Sequence, residues 1–399
     1  MVAARRGSGT FWPVRIGSIA LAIGACLLLD VVVKGSFSGF AQRLVMLAAL
    51  YTTLSVSLNL INGITGQFSM GHAAFYQVGA YTTMVLADKL KAPAGLPPAV
   101  WLVAMMACGA VTAGIAGFFV GLPSLRLRGD YLAIVTLGFG EIVRIFVQNQ
   151  PSLGGSYGRN VTPQYQYIWL TWLLAIVAIA VCRNLLKTAH GLPFLAVRED
   201  ETAALAMGVN VTRTKVTAFV LGSMFAGAAG ALLAHFEGFV SPNMFTMDQS
   251  FILVTMVVLG GTGSITGSAI AAVLLFYLPE KMRDLSNVTL AGVAGAAIAL
   301  VATVVVLRKI GELYHGPLSG KSVRVIGTIV VGVALAALLG AVLHAVPSLQ
   351  TPVEGSKLRL VVFAVTLIVL MLLRPQGIFG HHEISWSLFR GKRRPEVHS

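Results

Sequence analysis

Two oppositely charged side chains lie three residues apart in one apolar stretch of this sequence, Glu141 and Arg144. A helix would place both on the same face. Charged groups at membrane depth usually pair with one another and face the protein interior or a water-filled cavity. We therefore expect either a gating element of a pathway or a structural ion pair, two alternatives that the sequence leaves open.

Uncharged polar side chains gather at a glycine-rich interruption of another apolar stretch, residues 62–71. Buried polar groups need hydrogen-bond partners wherever they lie, so these side chains either line a pathway or bond within the protein. For His72, polar packing is favoured over contact with a substrate. The candidate pathway residues of this region are Asn59, Gly63, Gly66, Gln67, Ser69 and His72.

A second glycine-rich interruption, residues 260–267, lies in the other half of the chain. Paired interruptions of this kind predict discontinuous helices around a pathway near the bilayer midplane. Non-helical backbone is tolerated there only where protein or a wet cavity satisfies it. The alternative is a pair of ordinary loops between membrane spans. The candidate pathway residues here are Gly260, Gly261, Gly263 and Ser264.

Neither a catalytic nor a nucleotide-binding constellation is predicted. Titratable side chains such as Glu141 and His72 do not cluster by spacing, so we expect neither an enzyme nor a cofactor or metal site. Residues 316–322 superficially resemble a phosphate-binding loop. That motif requires four residues between its glycines, and here there are three. We interpret the stretch as a loop.

The composition identifies the environment in which these residues must work. Hydrophobic residues make up 56% of the 399 residues and charged residues only 11%, against about a quarter in soluble domains. Many apolar runs approach the roughly 20 residues that span a bilayer, and several are rich in the small residues that pack membrane helices. The alternation of a membrane β-barrel is absent. The predicted fold is an all-α polytopic membrane protein.

Basic residues predict the topology. The net charge of +14 reflects basic loops that fix orientation, and nucleic acid binding is not expected. Arg5, Arg6 and Arg15 precede the first span and a basic tail follows the last, so both termini are expected in the cytoplasm. We predict about ten transmembrane helices, together with a re-entrant, glycine-interrupted hairpin over 249–279. The predicted spans are 16–33, 43–62, 68–88, 98–122, 131–148, 167–182, 216–236, 288–307, 325–345 and one within 357–373.

A polar segment, residues 183–215, contains a predicted short surface helix. Asp200 is a suitable N-cap, Glu201 adds favourable charge to the first turn, and Gly208 is a natural C-terminal stop. A short helix of this kind suits docking into a groove of a soluble partner.

This helix and four other stretches resemble one family. Residues 201–208 resemble the coupling-helix motif of ABC importer permeases, and the flanking residues resemble the branched-chain amino acid permeases of the LivM type. Similar matches occur at 57–75, 137–144, 256–264 and 374–377, so that the resemblance covers about 43–284 and 357–380. The resemblance implies that ATPase coupling involves Arg198, Glu199, Asp200, Glu201, Ala203, Ala204 and Gly208.

The resemblance also implies a function. It predicts a permease subunit that moves branched-chain or other hydrophobic amino acids across the bacterial inner membrane by ATP-driven alternating access. The expected partners are a second homologous permease, two cytoplasmic ABC ATPases, a periplasmic substrate-binding protein and membrane lipid. Alternatives are urea, short amides or aromatic acids as substrates, or a secondary transporter or channel without ATPases.

Two departures from the family pattern qualify this prediction. Ile252 stands where the family often has an acidic residue, which weakens the transfer of substrate identity. Residues 285–356 resemble an insertion that carries two additional spans. The predicted organisation is a permease core over 1–284, this insertion, and a last helix with a basic cytoplasmic tail over 357–399.

Overall fold

A computed structural model describes residues 11–283, apart from 91–94, 96 and 125–129. The described part is built from helices, with one two-stranded antiparallel ribbon, β1 (Arg159–Asn160) and β2 (Phe239–Val240). The helices are α1 (Phe11–Ser36), α2 (Gly39–Asn59), α3 (His72–Lys89), α4 (Pro98–Ser124), α5 (Asp130–Gln148), α6 (Ile168–Lys187), α7 (Leu192–Glu199), α8 (Glu201–Ala206), α9 (Val211–Glu237), α10 (Met247–Gly260) and α11 (Ile265–Arg283).

The all-α polytopic class is confirmed. Within the described residues, six helical stretches are long and apolar enough to cross a membrane. Helices also cover the predicted spans over 16–33, 98–122, 131–148 and 216–236, and all but the first residue of 167–182, whereas the helix predicted over 68–88 begins only at His72. The spans predicted beyond residue 283, and with them the insertion over 285–356 and the segment 357–399, lie outside the described residues. The count of about ten crossings therefore stays a prediction.

The chain divides into two compact units, and residues 11–275 belong to the first. Its centre is α9, which packs against α3 and α4 through small residues. A side-chain carbon at Gly79 would overlap with the backbone of Gly227, and one at Gly230 would overlap with the carbonyl of Tyr76. Such contacts let the helix backbones approach each other closely. Close packing of this kind holds membrane helices together, because lipid tails are as apolar as the side chains and no hydrophobic effect favours contact between helices.

The glycine-rich interruptions are breaks between helices, as predicted. The first break follows α2, where one π-helical turn (Leu60–Ile64) leads into irregular backbone before α3 begins at His72. The second break is shorter than the predicted 260–267, because α11 already begins at Ile265. Ser264 explains the early start, since its Oγ accepts a hydrogen bond from the Gly267 N–H at 3.1 Å, as an N-cap does.

Candidate functional site: the junction of the two helix breaks

The first break is closed by the side-chain amide of Asn62. Its Nδ2 donates to the Ser69 carbonyl at 3.0 Å, and its Oδ1 accepts from the Ser69 N–H at 3.1 Å. Thr65 adds a hydrogen bond from its Oγ1 to the Leu60 carbonyl at 2.7 Å. These side chains bond backbone groups of the irregular stretch and of the turn before it, so the break has a defined shape.

The second break is held against the first by Asn59. This side chain is fully buried. Its Oδ1 accepts from the Gly263 N–H and its Nδ2 donates to the Ser264 carbonyl, both at 2.9 Å. A side-chain carbon at Gly63 would overlap with both Asn59 Oδ1 and the Gly263 nitrogen. The two interruptions recognised separately in the sequence therefore form one junction, which we call the break junction (residues 59–69 and 260–267).

Helix α7 packs against the break junction through an apolar cluster. Phe194 is 4% exposed and belongs to a buried cluster with Leu60 and Ile64 from the first break and Ile265 from the start of α11. The sequence analysis treated this part of the chain as a flank of the short surface helix. Pro193 in a first turn and the three-residue spacing of Phe194 and Val197 were signals of a separate amphipathic helix.

Arg198, near the end of α7, lies directly over both breaks. Its Cα is 3.4 Å from the position that a side-chain carbon at Gly66 would take. Its guanidinium occupies the space that a side chain at Gly263 would need. Both glycines have positive φ, 73° and 93°, a backbone conformation that other residues rarely adopt.

Helix α8 has the predicted caps. The Asp200 side chain accepts from the N–H groups of Thr202 at 2.7 Å and Ala203 at 3.0 Å. The hydrogen bonds from Ala203 and Thr202 lower the pKa of the Asp200 carboxyl. Gly208 has φ of 82° and its N–H donates to the Leu205 carbonyl, which ends the helix. The predicted short helix is thus confirmed, whereas its role stays a prediction.

A second connection joins α8 to the first break through α9. Lys215 is 4% exposed, and its ammonium forms an ion pair with Glu201 of α8. The backbone carbonyl of Lys215 accepts a hydrogen bond from Gln67 Nε2 at 3.4 Å. Lys215 could not be recognised from the sequence, because a lysine at the end of a polar segment gives no signal that distinguishes a buried partner from a solvated charge.

The outer surface of segment 183–215 is partly apolar. Leu205 is 56% exposed and Met207 is 84% exposed. Glu199 and Ala203 are also exposed, whereas Ala204 is buried with Val197 and Val211. Beside these residues lies a groove of about 540 Å³. Its lining comes from the end of α6, from α7, from the turn after α8 and from the start of α9, and includes Phe194, Met207, Asn210 and Arg213.

The remaining candidates, His72, Glu141 and Arg144, form hydrogen bonds outside this junction. Fully buried His72 has its Nε2 2.8 Å from Ser57 Oγ, joining α3 to α2, as polar packing predicts. Arg144 donates from Nε to Glu141 Oε2 at 2.9 Å and also bonds Gln148, so these bonds remain within α5. The ion pair is confirmed, and its role in gating stays a prediction.

Comparisons with known proteins find a family of transport permeases to which the sequence is similar. The family described as branched-chain amino acid transport system / permease component matches residues 40–307. The chain is 36% identical over 287 residues to the high-affinity branched-chain amino acid transport system permease protein LivM of Salmonella typhimurium, and 35% identical over 290 residues to LivM of Escherichia coli. These alignments cover 63% and 64% of this chain but only 66% of either LivM protein.

A second type of permease is also similar. The LivH permease protein of Salmonella typhimurium is 26% identical over 287 residues, which cover 64% of this chain and 92% of LivH. No solved structure matches the chain.

Proposed function

Since the chain belongs to the family of branched-chain amino acid transport permeases, we propose that it is a transmembrane subunit of an ATP-driven importer. The proposed substrates are branched-chain or other hydrophobic amino acids, in keeping with the names of the LivM and LivH permeases. The chain itself carries out no chemistry, and separate ATPase subunits supply the energy.

One observation supports this proposal: segment 183–215 has an exposed outer surface and an inner surface that packs against the break junction. Its outer surface presents the exposed side chains of Leu205 and Met207 beside a groove. Its inner surface places Phe194 and Arg198 against the break junction. A secondary transporter or channel does not need a capped surface helix that is connected to its pathway, whereas an importer driven by external ATPases does.

The proposed mechanism requires two states of the break junction. ATP binding draws the two cytoplasmic ATPases together, and α8 carries their movement into the membrane. A ligand can shift such an equilibrium only by stabilising one state more than the other. A periplasmic binding protein delivers the amino acid to the outward-open state, and ATP hydrolysis restores the inward-facing one. A second, homologous permease completes the pathway.

This mechanism assigns the sidedness of the chain. Segment 183–215 lies in the cytoplasm with the ATPases, as do both termini, and the protein spans the bacterial inner membrane in a lipid environment. The hairpin arrangement of α10 and α11 belongs to the same proposal. The pathway residues are those of the break junction, with Glu141 and Arg144 acting on it from α5.

The proposal is tested by assembly and by ATP hydrolysis. The chain, its co-encoded permease and the two ATPases are purified together in nanodiscs, and binding protein loaded with leucine is added. We expect hydrolysis to rise with leucine, isoleucine and valine. Stimulation by urea, a short amide or benzoate alone would replace the proposed substrate class, and a chain that binds no ATPase would contradict the importer assignment.

A matched pair of surface variants locates the docking site. Met207→Glu places a charge on the proposed docking surface and should release the ATPases. Tyr157→Glu changes a side chain that is 93% exposed in the loop between α5 and α6, and should leave assembly intact. Retention of the ATPases by Met207→Glu would move the docking surface elsewhere.

A further inference from the structure

The inner face of α7 contacts both helix breaks at once. Phe194 and Arg198 are four residues apart and therefore lie on one face of the helix. Phe194 shares a buried cluster with Ile64 of the first break and with Ile265, the first residue of α11 after the second break. The segment that carries the surface helix α8 is thus in direct contact with the junction, with no element between them.

The contact of Arg198 with the junction is unusually direct. Because Gly263 has no side chain, the guanidinium lies in the space beside the backbone of the second break, and a side-chain carbon at Gly66 would be in van der Waals contact with Arg198. Close-packed protein interiors have low compressibility and transmit displacement. A shift of α7 must therefore either displace these backbones or separate Arg198 from them.

Helix α7 is also fastened to α8. Only Asp200 separates the two helices, and its N–H donates back to the Ala196 carbonyl at 3.2 Å. Val197 of α7 and Ala204 of α8 are 3% exposed and share one buried cluster with Val211. The two short helices should consequently move together.

We propose that Phe194 and Arg198 are the positioning residues through which movement of α8 opens and closes the break junction. This inference rests on the proposed function and adds the path by which docking reaches the pathway. In the conformation described above, Arg198 covers Gly66 and Gly263 while Asn59 ties the second break to the first. Displacement of α7 uncovers the two glycines, and the hydrogen bonds of Asn59 to Gly263 and Ser264 are the contacts that separate.

The first measurement is the amount of leucine taken up per ATP hydrolysed, in proteoliposomes that hold the complete transporter. Arg198→Met keeps the length of the side chain but removes the guanidinium, and Phe194→Ala removes the apolar contact. We expect uptake per ATP to fall about tenfold in each, within the usual range of coupling between sites, while hydrolysis continues. Leu195→Ala is the matched control, since Leu195 is 37% exposed on the same helix, and its ratio should equal the wild-type ratio.

The second measurement reports movement of the junction itself. Ser264 is fully buried, so a maleimide should label Ser264→Cys only when the breaks separate. In an otherwise wild-type complex, the labelling rate should differ between the ATP-bound and nucleotide-free states. In the Arg198→Met background, this difference should disappear. Labelling that does not depend on nucleotide in the wild-type background would overturn the inference.

Milder variants cover the case in which Arg198→Met or Phe194→Ala does not assemble. Arg198→Lys keeps the charge and loses the planar fork, and Phe194→Leu keeps an apolar group of smaller reach. Wild-type coupling in both would contradict the inference, and reduced coupling with normal assembly would support it. If the wild-type complex transports leucine and all these variants do so equally well, only the inference fails. If the wild-type complex neither hydrolyses ATP nor transports, the proposed function fails.

Discussion

The side-chain amide of Asn59 binds the backbone of Gly263, which lies 204 residues away in the sequence, at 2.9 Å. The same amide donates to the Ser264 carbonyl, also at 2.9 Å. One buried side chain thereby satisfies two backbone groups in a stretch where the helix has ended. Loss of this amide would leave the partly buried Gly263 N–H without this bond, whereas the Ser264 carbonyl would keep its bonds from the Ser268 N–H and hydroxyl.

Replacing Asn59 should therefore destabilise the protein measurably. Asn59→Leu retains the approximate size of the side chain but removes the oxygen that accepts from the Gly263 N–H, and the Ser264 carbonyl keeps only its bonds from Ser268. We expect a loss of about 1–3 kcal/mol in the free energy of unfolding, the usual cost of leaving a buried group unsatisfied. Denaturant titration in mixed micelles measures this change. Asn149→Leu, at an exposed asparagine after α5, should change the stability by less than about 0.5 kcal/mol.

Gly63 should be the position in the break junction that is least able to accommodate a side chain. In Gly63→Ala, the added carbon would overlap with Asn59 Oδ1 and with the Gly263 nitrogen, and therefore should force the two breaks apart. Gly138→Ala in α5 is the control, because a carbon there meets nothing within 4 Å. We expect a lower unfolding temperature for Gly63→Ala and an unchanged or higher one for Gly138→Ala. Equal unfolding temperatures for both variants would show that the breaks do not meet in this way.

The ion pair between Glu201 and Lys215 should respond asymmetrically to substitution. The Lys215 side chain is 5% exposed and that of Glu201 is 32% exposed. Glu201→Gln removes the carboxylate that faces a buried ammonium and should cost about 2 kcal/mol, below the roughly 3–5 kcal/mol of a fully buried pair. Lys215→Met should cost less, because water reaches Glu201.

A double-mutant cycle over these two positions checks the asymmetry. The double variant should be more stable than Glu201→Gln alone, since it no longer contains a buried ammonium without its carboxylate. Additive effects of the two substitutions would indicate that the two side chains do not interact.

The N-cap of α8 should depend on pH only in acid. Hydrogen bonds from Ala203 and Thr202 lower the pKa of the Asp200 carboxyl in the folded protein below its usual 3.8. The cap is therefore fully present above that value, and it is lost as the pH falls through the lowered pKa. Hydrogen-exchange protection of α8 should be constant around neutral pH and should decrease in strong acid.

Two variants separate the cap from other effects of acid. Asp200→Asn keeps an oxygen acceptor without a titrating proton, so its protection should lose this pH dependence. Asp200→Ala should be poorly protected at every pH. If acid weakened α8 equally in the wild-type protein and in Asp200→Asn, protonation of Asp200 would not be the cause.

The transmembrane helices and the caps of α8 could be predicted from the sequence. Long apolar runs have few structural solutions in a bilayer, and the pattern of Asp200, Glu201 and Gly208 follows local rules of helix ends. The length of the second break was overestimated, because a glycine run suggests irregular backbone throughout. The Ser264 side chain instead begins α11 three residues before Gly267.

The contact between the two breaks could not be predicted from the sequence. Hydrogen bonds between Asn59 and Gly263 join residues from the two halves of the chain, and the sequence pattern around one break does not identify its partner. The side of segment 183–215 on which Arg198 lies could not be predicted from the sequence either. The family resemblance grouped Arg198 with the ATPase-coupling residues, whereas tertiary packing places it over Gly66 and Gly263, on the inner side of segment 183–215.

The account is tested most directly by uptake of labelled leucine into proteoliposomes that hold this chain, its co-encoded permease and the ATPases. Leucine-loaded binding protein is supplied outside, and ATP or ADP is trapped inside with the ATPases facing the lumen. The account predicts accumulation of leucine with ATP and binding protein together, and none when either is omitted. Uptake that is equally fast with ADP would contradict it and would indicate a secondary carrier or channel instead, and uptake that is equally fast without binding protein would contradict the role of that protein.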